Sequence, residues 1–113
     1  MVAEIIEYSD FSKLDLRVGR VRQVERVPKT EKLYKLLVDI GNEKIIQIVS
    51  SLVPYYMEEE LLDSTIIVLV NLKQTKFHGE LSEGMLLAAE TEDGSECVLL
   101  TTQKDIALGS KIT

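Results

Sequence analysis

Cysteine and histidine are nearly missing from this chain. It has one cysteine, Cys97, and one histidine, His78. That pair cannot build a structural zinc site, which takes four Cys or His ligands, and a lone cysteine closes no internal disulfide. Cys97 lies in the apolar run Cys97-Val98-Leu99-Leu100, the setting of a small buried hydrophobe rather than a reactive thiol. Tryptophan is absent, and the aromatics are Tyr8, Phe11, Tyr34, Tyr55, Tyr56 and Phe77. So few stacking platforms argue against a protein that grips long single strands base by base. The longest apolar run, Ile66–Val70, is far too short to span a bilayer as a helix. No apolar leader follows Met1. There is no Ser-His-Asp set and no glycine-rich phosphate cradle. The expectation is one cytoplasmic domain over residues 1–113, not an enzyme, with no metal and no cofactor.

What the chain does have is charge, unevenly placed. The net charge is −6. Yet Ser12–Leu36 holds Lys13, Arg17, Arg20, Arg22, Arg26, Lys29, Lys32 and Lys35 against three acids, a local balance of +5. Leu37–Asp63 stands at −5 and Glu80–Glu96 at −6. A local basic strip suffices to attract phosphate, because salt screens charges beyond about 8–10 Å. The same pattern also suits an ordinary solvated strand face, and charge alone leaves both readings open.

The apolar pattern predicts mostly strands. Ser9–Leu14 reads as a short helical turn closing one end of a core. Leu14–Val27 reads as one long bent strand, with Leu14, Leu16 and Val18 on a buried face and a bulge beside Gly19 that shifts the set to Val21 and Val24. A helix is also open there, since Val18, Val21, Val24 and Val27 recur every third residue. The valine content and Gly19 favour the strand. Leu33–Ile40 and Glu43–Val49 form a hairpin around Gly41-Asn42, a pair suited to a type II′ turn. Pro54–Leu62 reads as a short helix with Pro54 in its first turn, Glu58–Glu60 wet, and Met57, Leu61 and Leu62 inward. Thr65–Leu72 is a strand covered on both faces, and Asn71–Glu83 an exposed basic loop. Gly84–Glu90 and Glu96–Thr101 are strands joined by Glu92–Ser95, and a tail closes on Ile106, Leu108 and Ile112. This order fits an all-β, five-stranded OB-fold Greek-key barrel, with a helix between strands three and four and an extra C-terminal hairpin segment. Such barrels bind oligonucleotides on the face of strands two and three and on the flanking loops.

Four stretches then carry a family resemblance: Leu14-Asp15-Leu16-Arg17-Val18-Gly19, Glu31-Lys32-Leu33-Tyr34, Gln47-Ile48-Val49-Ser50-Ser51-Leu52, and the long run Asn71–Ala89. Together, over about Phe11–Thr113, they resemble the tRNA-binding domain family. That family includes stand-alone dimeric tRNA-binding proteins and the C-terminal domain of methionyl-tRNA synthetases, in some organisms a separate chain. It also includes cofactors that hold synthetase complexes together and an export-related chaperone that binds peptides. Two places depart from the family pattern. Val27-Pro28-Lys29-Thr30-Glu31 replaces a His-Pro-Asp-Ala-Asp type of loop, and Gln74 and Thr75 separate Lys73 from Lys76 where a denser basic run is usual.

The resemblance implies non-catalytic tRNA binding, with Lys32, Lys73 and Lys76 at family basic positions that reach phosphate. Arg20 and Arg22 are candidates to share that work, whereas Arg17 is as readily paired with an acid. Asn71, Ser50 and Ser82 are candidates to bond bases or sugar hydroxyls, and equally to tie down their own loops. Phe77 is a candidate for stacking, and Met85 for packing on a base or in the core. The resemblance also implies a homodimer through residues near Met1–Tyr8 and Val98–Thr113, where Ile5, Ile6, Ile106 and Ile112 offer either an interface or core closure. It implies a role in protein biosynthesis, as an accessory or beta subunit for methionyl-tRNA synthetase. The alternatives on the same fold are a peptide-binding chaperone and a dimerisation or scaffold module.

Overall fold

The computed structural model describes residues 3–113, so Met1 and Val2 of the expected dimer segment lie outside the described residues. The elements are α1 (Tyr8–Phe11), β1 (Leu16–Arg26), β2 (Tyr34–Asp39), β3 (Ile45–Ser50), α2 (Glu58–Leu61), β4 (Thr65–Leu69), β5 (Thr75–Phe77), β6 (Glu80–Ser82), β7 (Met85–Leu86), β8 (Ala88–Glu90) and β9 (Cys97–Leu99). Five antiparallel strands run β3-β2-β1-β4-β7. The two edges meet where Glu83 N donates to Gln47 O at 2.7 Å and Gln47 N donates to the Glu83 carboxylate at 2.9 Å. The result is a nearly closed barrel of the expected OB-like kind. β8 and β9 form the added C-terminal hairpin.

Strand alternation explains why the core has two parts. Side chains of a strand point alternately to opposite faces. Ile66 and Val68 of β4 enter the main core with Leu36, Ile48, Leu52 and Leu61. Ile67 and Leu69 face a second cluster with Leu16 and Val18 of β1. That second cluster is covered by Phe11, Leu87, Leu108 and Ile112, so β4 is buried on both faces as its sequence suggests. Each fully buried aliphatic side chain contributes about 1.5–3 kcal/mol of transfer free energy.

The bulge expected in β1 is present but lies further along the strand. The ladder slips at Arg22, between Val21 and Gln23, not beside Gly19. Val18 and Val21 sit on opposite faces, each covered, and the bulge then lets Val24 follow Val21 onto the main core. The β2–β3 turn is also shifted. Lys44 N donates to Gly41 O, and its central residues are Asn42 (φ 53) and Glu43 (φ 60), the two left-handed positions of a type I′ turn rather than a Gly41-Asn42 type II′ turn. Between β3 and β4 the chain makes a single helical turn, Glu58–Leu61, shorter than Pro54–Leu62. Glu58–Glu60 therefore occupy its first turn, and Glu60 accepts from Met57 N at 2.8 Å. Only Leu61 is buried there; Met57 and Leu62 are exposed.

The tail continues the sheet edge where β2 stops. Val18 N donates to Ser110 O, Gly109 N to Val18 O, and Ile112 N to Leu16 O, at 2.7–3.0 Å. The stretch 71–83, expected to be a loop, contains the β5–β6 hairpin, with Phe77 opposite Glu80 and Thr75 opposite Ser82.

Candidate nucleic-acid interface

Three hollows adjoin at one end of the barrel. The first, about 260 Å³, lies between the β5–β6 hairpin and the β3 and β7 strands; Ser50, Ser51, Leu72, Lys73, Phe77 and Met85 help to line it. The second, about 440 Å³, shares Ser50, Ser51 and Met85 and adds Lys32, Glu90 and Cys97. The third, about 480 Å³, shares Lys32, Ser51 and Phe77 and adds Lys29, Glu31 and His78. The shared residues make one continuous concave face. Its walls follow from the fold. Ser50 ends β3 opposite Tyr34, and Val53 N donates to Lys32 O at 3.1 Å, which holds the approach to β2 against the exit of β3.

Lys32, Lys73, Ser50 and Phe77 are thus brought together as the sequence proposes. Lys76 is beside them but turned away: Thr75 and Phe77 face the first hollow, and period-two alternation points the intervening residue outward. Among the described residues, Lys29, Lys32, Lys73 and Lys76 have no carboxylate within ion-pair distance. The Ser50 and Ser51 hydroxyls make no hydrogen bond to another described residue.

The other candidates are placed otherwise. Ser82 lies within the first hollow's wall, but its hydroxyl accepts from Val49 N and donates to Gly84 O, both at 3.0 Å, and the residue is buried. Asn71 accepts from Asp15 N at 2.9 Å and donates to Lys13 O at 2.7 Å, so its amide staples the end of β4 to the entry of β1. Of the two roles open to each, the hydrogen bonds favour holding the backbone. Arg20 and Arg22 are not at the mouth. They lie near Asp39, at the end of β2 remote from Tyr34 and about 17 Å along the strand. Arg22 is paired with Asp39 at 3.3 Å and Asp63 at 3.9 Å, and Arg20 reaches Thr65 Oγ1 at 3.4 Å. Arg17 is paired with Asp15 at 2.6 Å. Lys35 bridges Glu25 at 3.3 Å and Glu80 at 3.5 Å. Its hydrogen bond to Glu25, aided by the charge of Glu80, raises its pKa above the ordinary value.

Sequence reading missed Lys29, Ser51 and His78, and left Met85 between two roles. Ser51 and His78 lie inside the stretches that carry the family resemblance and Lys29 in the loop that departs from it, and that placement is the signal the sequence offers. His78 reaches the third hollow through the β5–β6 turn, where it takes φ 50. Met85 is 46% exposed and lines two hollows, so it is not core. Cys97 is half-buried against the core, and burial, with the nearby Glu90 charge, raises its thiol pKa. No group of three His, Cys, Asp or Glu among the described residues is placed to hold a metal ion. No helix among them is long and apolar enough to cross a membrane.

Comparison with known proteins agrees with this geometry. Residues 16–111 match the model of the putative tRNA binding domain. The chain is 55% identical over 109 residues to the methionine–tRNA ligase of Methanocorpusculum labreanum, covering 96% of this chain and 16% of that one. It is 51% identical, with the same coverage, to the methionine–tRNA ligase of Methanocaldococcus jannaschii. The chain therefore spans about one sixth of the length of these relatives. Among solved structures, the MetRS related protein of Pyrococcus horikoshii superposes with a TM-score of 0.91 at 37% identity, over 98% of this chain and 100% of that one. The chaperone CsaA of Bacillus anthracis superposes with a TM-score of 0.87 at 27% identity, over 97% and 100%. By its motifs, its barrel and these matches, the chain belongs to the tRNA-binding domain family.

Proposed function

We propose that this chain binds transfer RNA without catalysing a reaction, docking the RNA backbone on the concave barrel end and serving methionyl-tRNA synthetase in the cytoplasm as an accessory, beta-like chain. One observation carries the reading. In a chain of net charge −6, Lys29, Lys32 and Lys73 line adjoining hollows without a carboxylate partner among the described residues, and Lys76 stands beside them. Unpaired lysines around a concavity are what phosphate contact needs, and each neutralised phosphate makes binding more salt-dependent. Ser50 and Phe77 add a hydroxyl and an aromatic face to the same surface. The synthetase role is supported by the ligases that share this domain. A homodimer through the chain's two ends is supported by the exposure of Ile5, Ile6, Val98 and Ile106.

The test is a titration of tRNA at several salt concentrations with Lys32→Ala, Lys73→Ala and Lys76→Ala. Lys32→Ala and Lys73→Ala should each flatten the slope of log K against log salt by about one unit, and Lys76→Ala, whose side chain points outward, by less. Unchanged slopes in all three refute backbone docking at this face. Sedimentation or light scattering reads the dimer, and co-elution with a methionyl-tRNA synthetase reads the accessory role.

A second reading is peptide binding. It is favoured by the apolar share of the first hollow, from Leu33, Leu72, Phe77 and Met85, and by the likeness to the chaperone CsaA. Saturable peptide binding without a tRNA complex would select it.

A further inference from the structure

The first hollow differs in chemistry from its neighbours. Among the described residues no carboxylate lines it and Lys73 is its sole charged side chain, whereas Glu90 borders the second hollow and Glu31 the third. Three large apolar side chains stand at it half-exposed: Phe77 at 42%, Met85 at 46% and Leu72 at 44%. Such side chains gathered round a concavity mark a place where something apolar is covered on binding. Beside them are the uncommitted hydroxyls of Ser50 and Ser51, each able to donate and to accept.

We propose that this hollow receives one unstacked nucleobase of the bound RNA, laid against the Phe77 ring and the Met85 side chain. The inference rests on the tRNA reading and deepens it. Size fits one planar ring system: about 260 Å³ is below the roughly 300–1,000 Å³ of sites that enclose drug-sized ligands. A base has two apolar faces and a polar edge. Phe77 and Met85 meet a face, and Ser50 and Ser51 meet the edge in either hydrogen-bonding sense. The phosphates on either side of that nucleotide then reach Lys73 at this rim and Lys32 across the adjoining hollows. A duplex keeps its bases stacked, so only a splayed loop, bulge or end position can fill the hollow. An aliphatic side chain of a peptide is the less suitable occupant, because it would desolvate both serine hydroxyls without a partner. Rotatable hydroxyls do not distinguish one base strongly from another, so the hollow selects an exposed base rather than a sequence.

The experiment uses tRNA transcripts carrying 2-aminopurine at each unpaired position in turn. Binding should change the fluorescence of one local group of positions, and Phe77→Ala should abolish that change. Phe77→Ala should also weaken binding by about 5- to 150-fold, the loss associated with one stacked base, while the salt slope stays as in the parent. Phe77→Leu keeps the apolar volume and should remain weak, which excludes lost packing as the cause; Phe77→Tyr keeps the ring and should restore binding. A tRNA complex whose salt slope depends on Lys32 and Lys73 but is indifferent to Phe77→Ala, with no responding probe, overturns the nucleobase site alone. Loss of peptide affinity but not tRNA affinity in Phe77→Ala also overturns it. Absence of any salt-dependent tRNA complex removes the functional reading, and the nucleobase site with it.

Discussion

Gly109 marks the place where the C-terminal tail takes over the β1 edge from β2, and Gly109→Ala should loosen that junction. Gly109 has φ +87, and a methyl group there would stand 2.6 Å from the Ile40 carbonyl oxygen. Gly41 abuts the Leu108 carbonyl from the other side, so neither backbone segment can yield without moving the other. A left-handed conformation costs an L-residue about 1–2 kcal/mol. The collision adds to this, because its relief shifts Gly109 N from Val18 O, now at 2.7 Å, and Gly109 O from Arg17 Nη1 at 3.1 Å. One weakened backbone bond is worth about 1 kcal/mol. The expected loss is about 2–3 kcal/mol, a fall in Tm on the order of 10 °C for a domain of this size. Gly79→Ala supplies the control. Gly79 has nearly the same φ, +82, but nothing within 4 Å of the added methyl. Urea unfolding of the two variants separates strain from collision. Gly79→Ala should lose only the conformational cost, and Gly109→Ala about 1 kcal/mol more. Equal losses would refute the close-approach argument.

Other outcomes follow from the same contacts. Ser82→Ala should cost about 1–3 kcal/mol, because it strands Val49 N and the Gly84 carbonyl; thermal melts read the loss, and the salt slope of RNA binding should not change. Arg22→Ala removes half-exposed ion pairs to Asp39 and Asp63, so it should alter stability by less than about 1 kcal/mol and leave tRNA affinity intact, which a filter-binding titration checks. Cys97, Tyr34 and Lys35 all have raised pKa values: Cys97 and Tyr34 first through burial, Lys35 first through its bond to Glu25. In each case the native state holds its proton longer than the unfolded chain, so the contribution is whole below the ordinary value and is lost as pH climbs through the raised one. Stability should therefore begin to fall near pH 9.0, the ordinary value for Cys97, and go on falling beyond 10.5, that of Lys35. Denaturant melts of Cys97→Ala should lack the first part of that fall, and those of Lys35→Met the last.

Much of the barrel was legible because strand burial writes itself locally. The run Ile66–Leu69 has apolar residues at even and odd positions, and both faces of β4 are covered. The β2–β3 hairpin is legible in place but not in turn type, since Gly41-Asn42 suggests a glycine-centred turn while the left-handed central pair is Asn42-Glu43, with Gly41, also at positive φ, just before it. The β5–β6 hairpin was not legible: Thr75–Phe77 is exposed throughout, so no alternation of burial marks it. At the site, sequence named Lys32, Lys73, Ser50 and Phe77, which the fold gathers. It could not separate them from Arg20 and Arg22, whose status depends on Asp39 and Thr65, placed beside them by strand pairing, and on Asp63, whose N donates to Val21 O just before β4. Ser82 and Ser50 likewise look alike in sequence. One hydroxyl is tied between Val49 and Gly84 and the other is free, a difference made by the closure of β3 on the β6–β7 segment.

Local pairing of charges also shows how an acidic chain can still present unpaired lysines. Net charge counts every carboxylate equally, but an ion sensed at the barrel mouth is screened from charges beyond about 8–10 Å. Much of the basic strand segment is neutralised where it lies: Arg17 by Asp15, Arg22 by Asp39 and Asp63, Lys35 by Glu25 and Glu80. Glu83 is turned into the barrel seam to accept from Gln47 N, and Asp93 is held by Ser95 and Thr91 in the β8–β9 turn, where those bonds lower its pKa. Among the described residues, Lys29, Lys32 and Lys73 line the hollows with no ion-pair partner. Glu31 and Glu90, on the flanks of that face, limit how far it extends. A polyanion of any shape would accept a broad basic surface. A narrow one bordered by carboxylates favours a ligand whose phosphates approach at one place and turn away at the edges, as the bent backbone of a folded RNA does and a straight duplex does not. Removing the flanking charges with Glu31→Gln and Glu90→Gln should therefore raise affinity for duplex RNA more than for tRNA in parallel titrations, and equal gains would show that the flanks carry no discrimination.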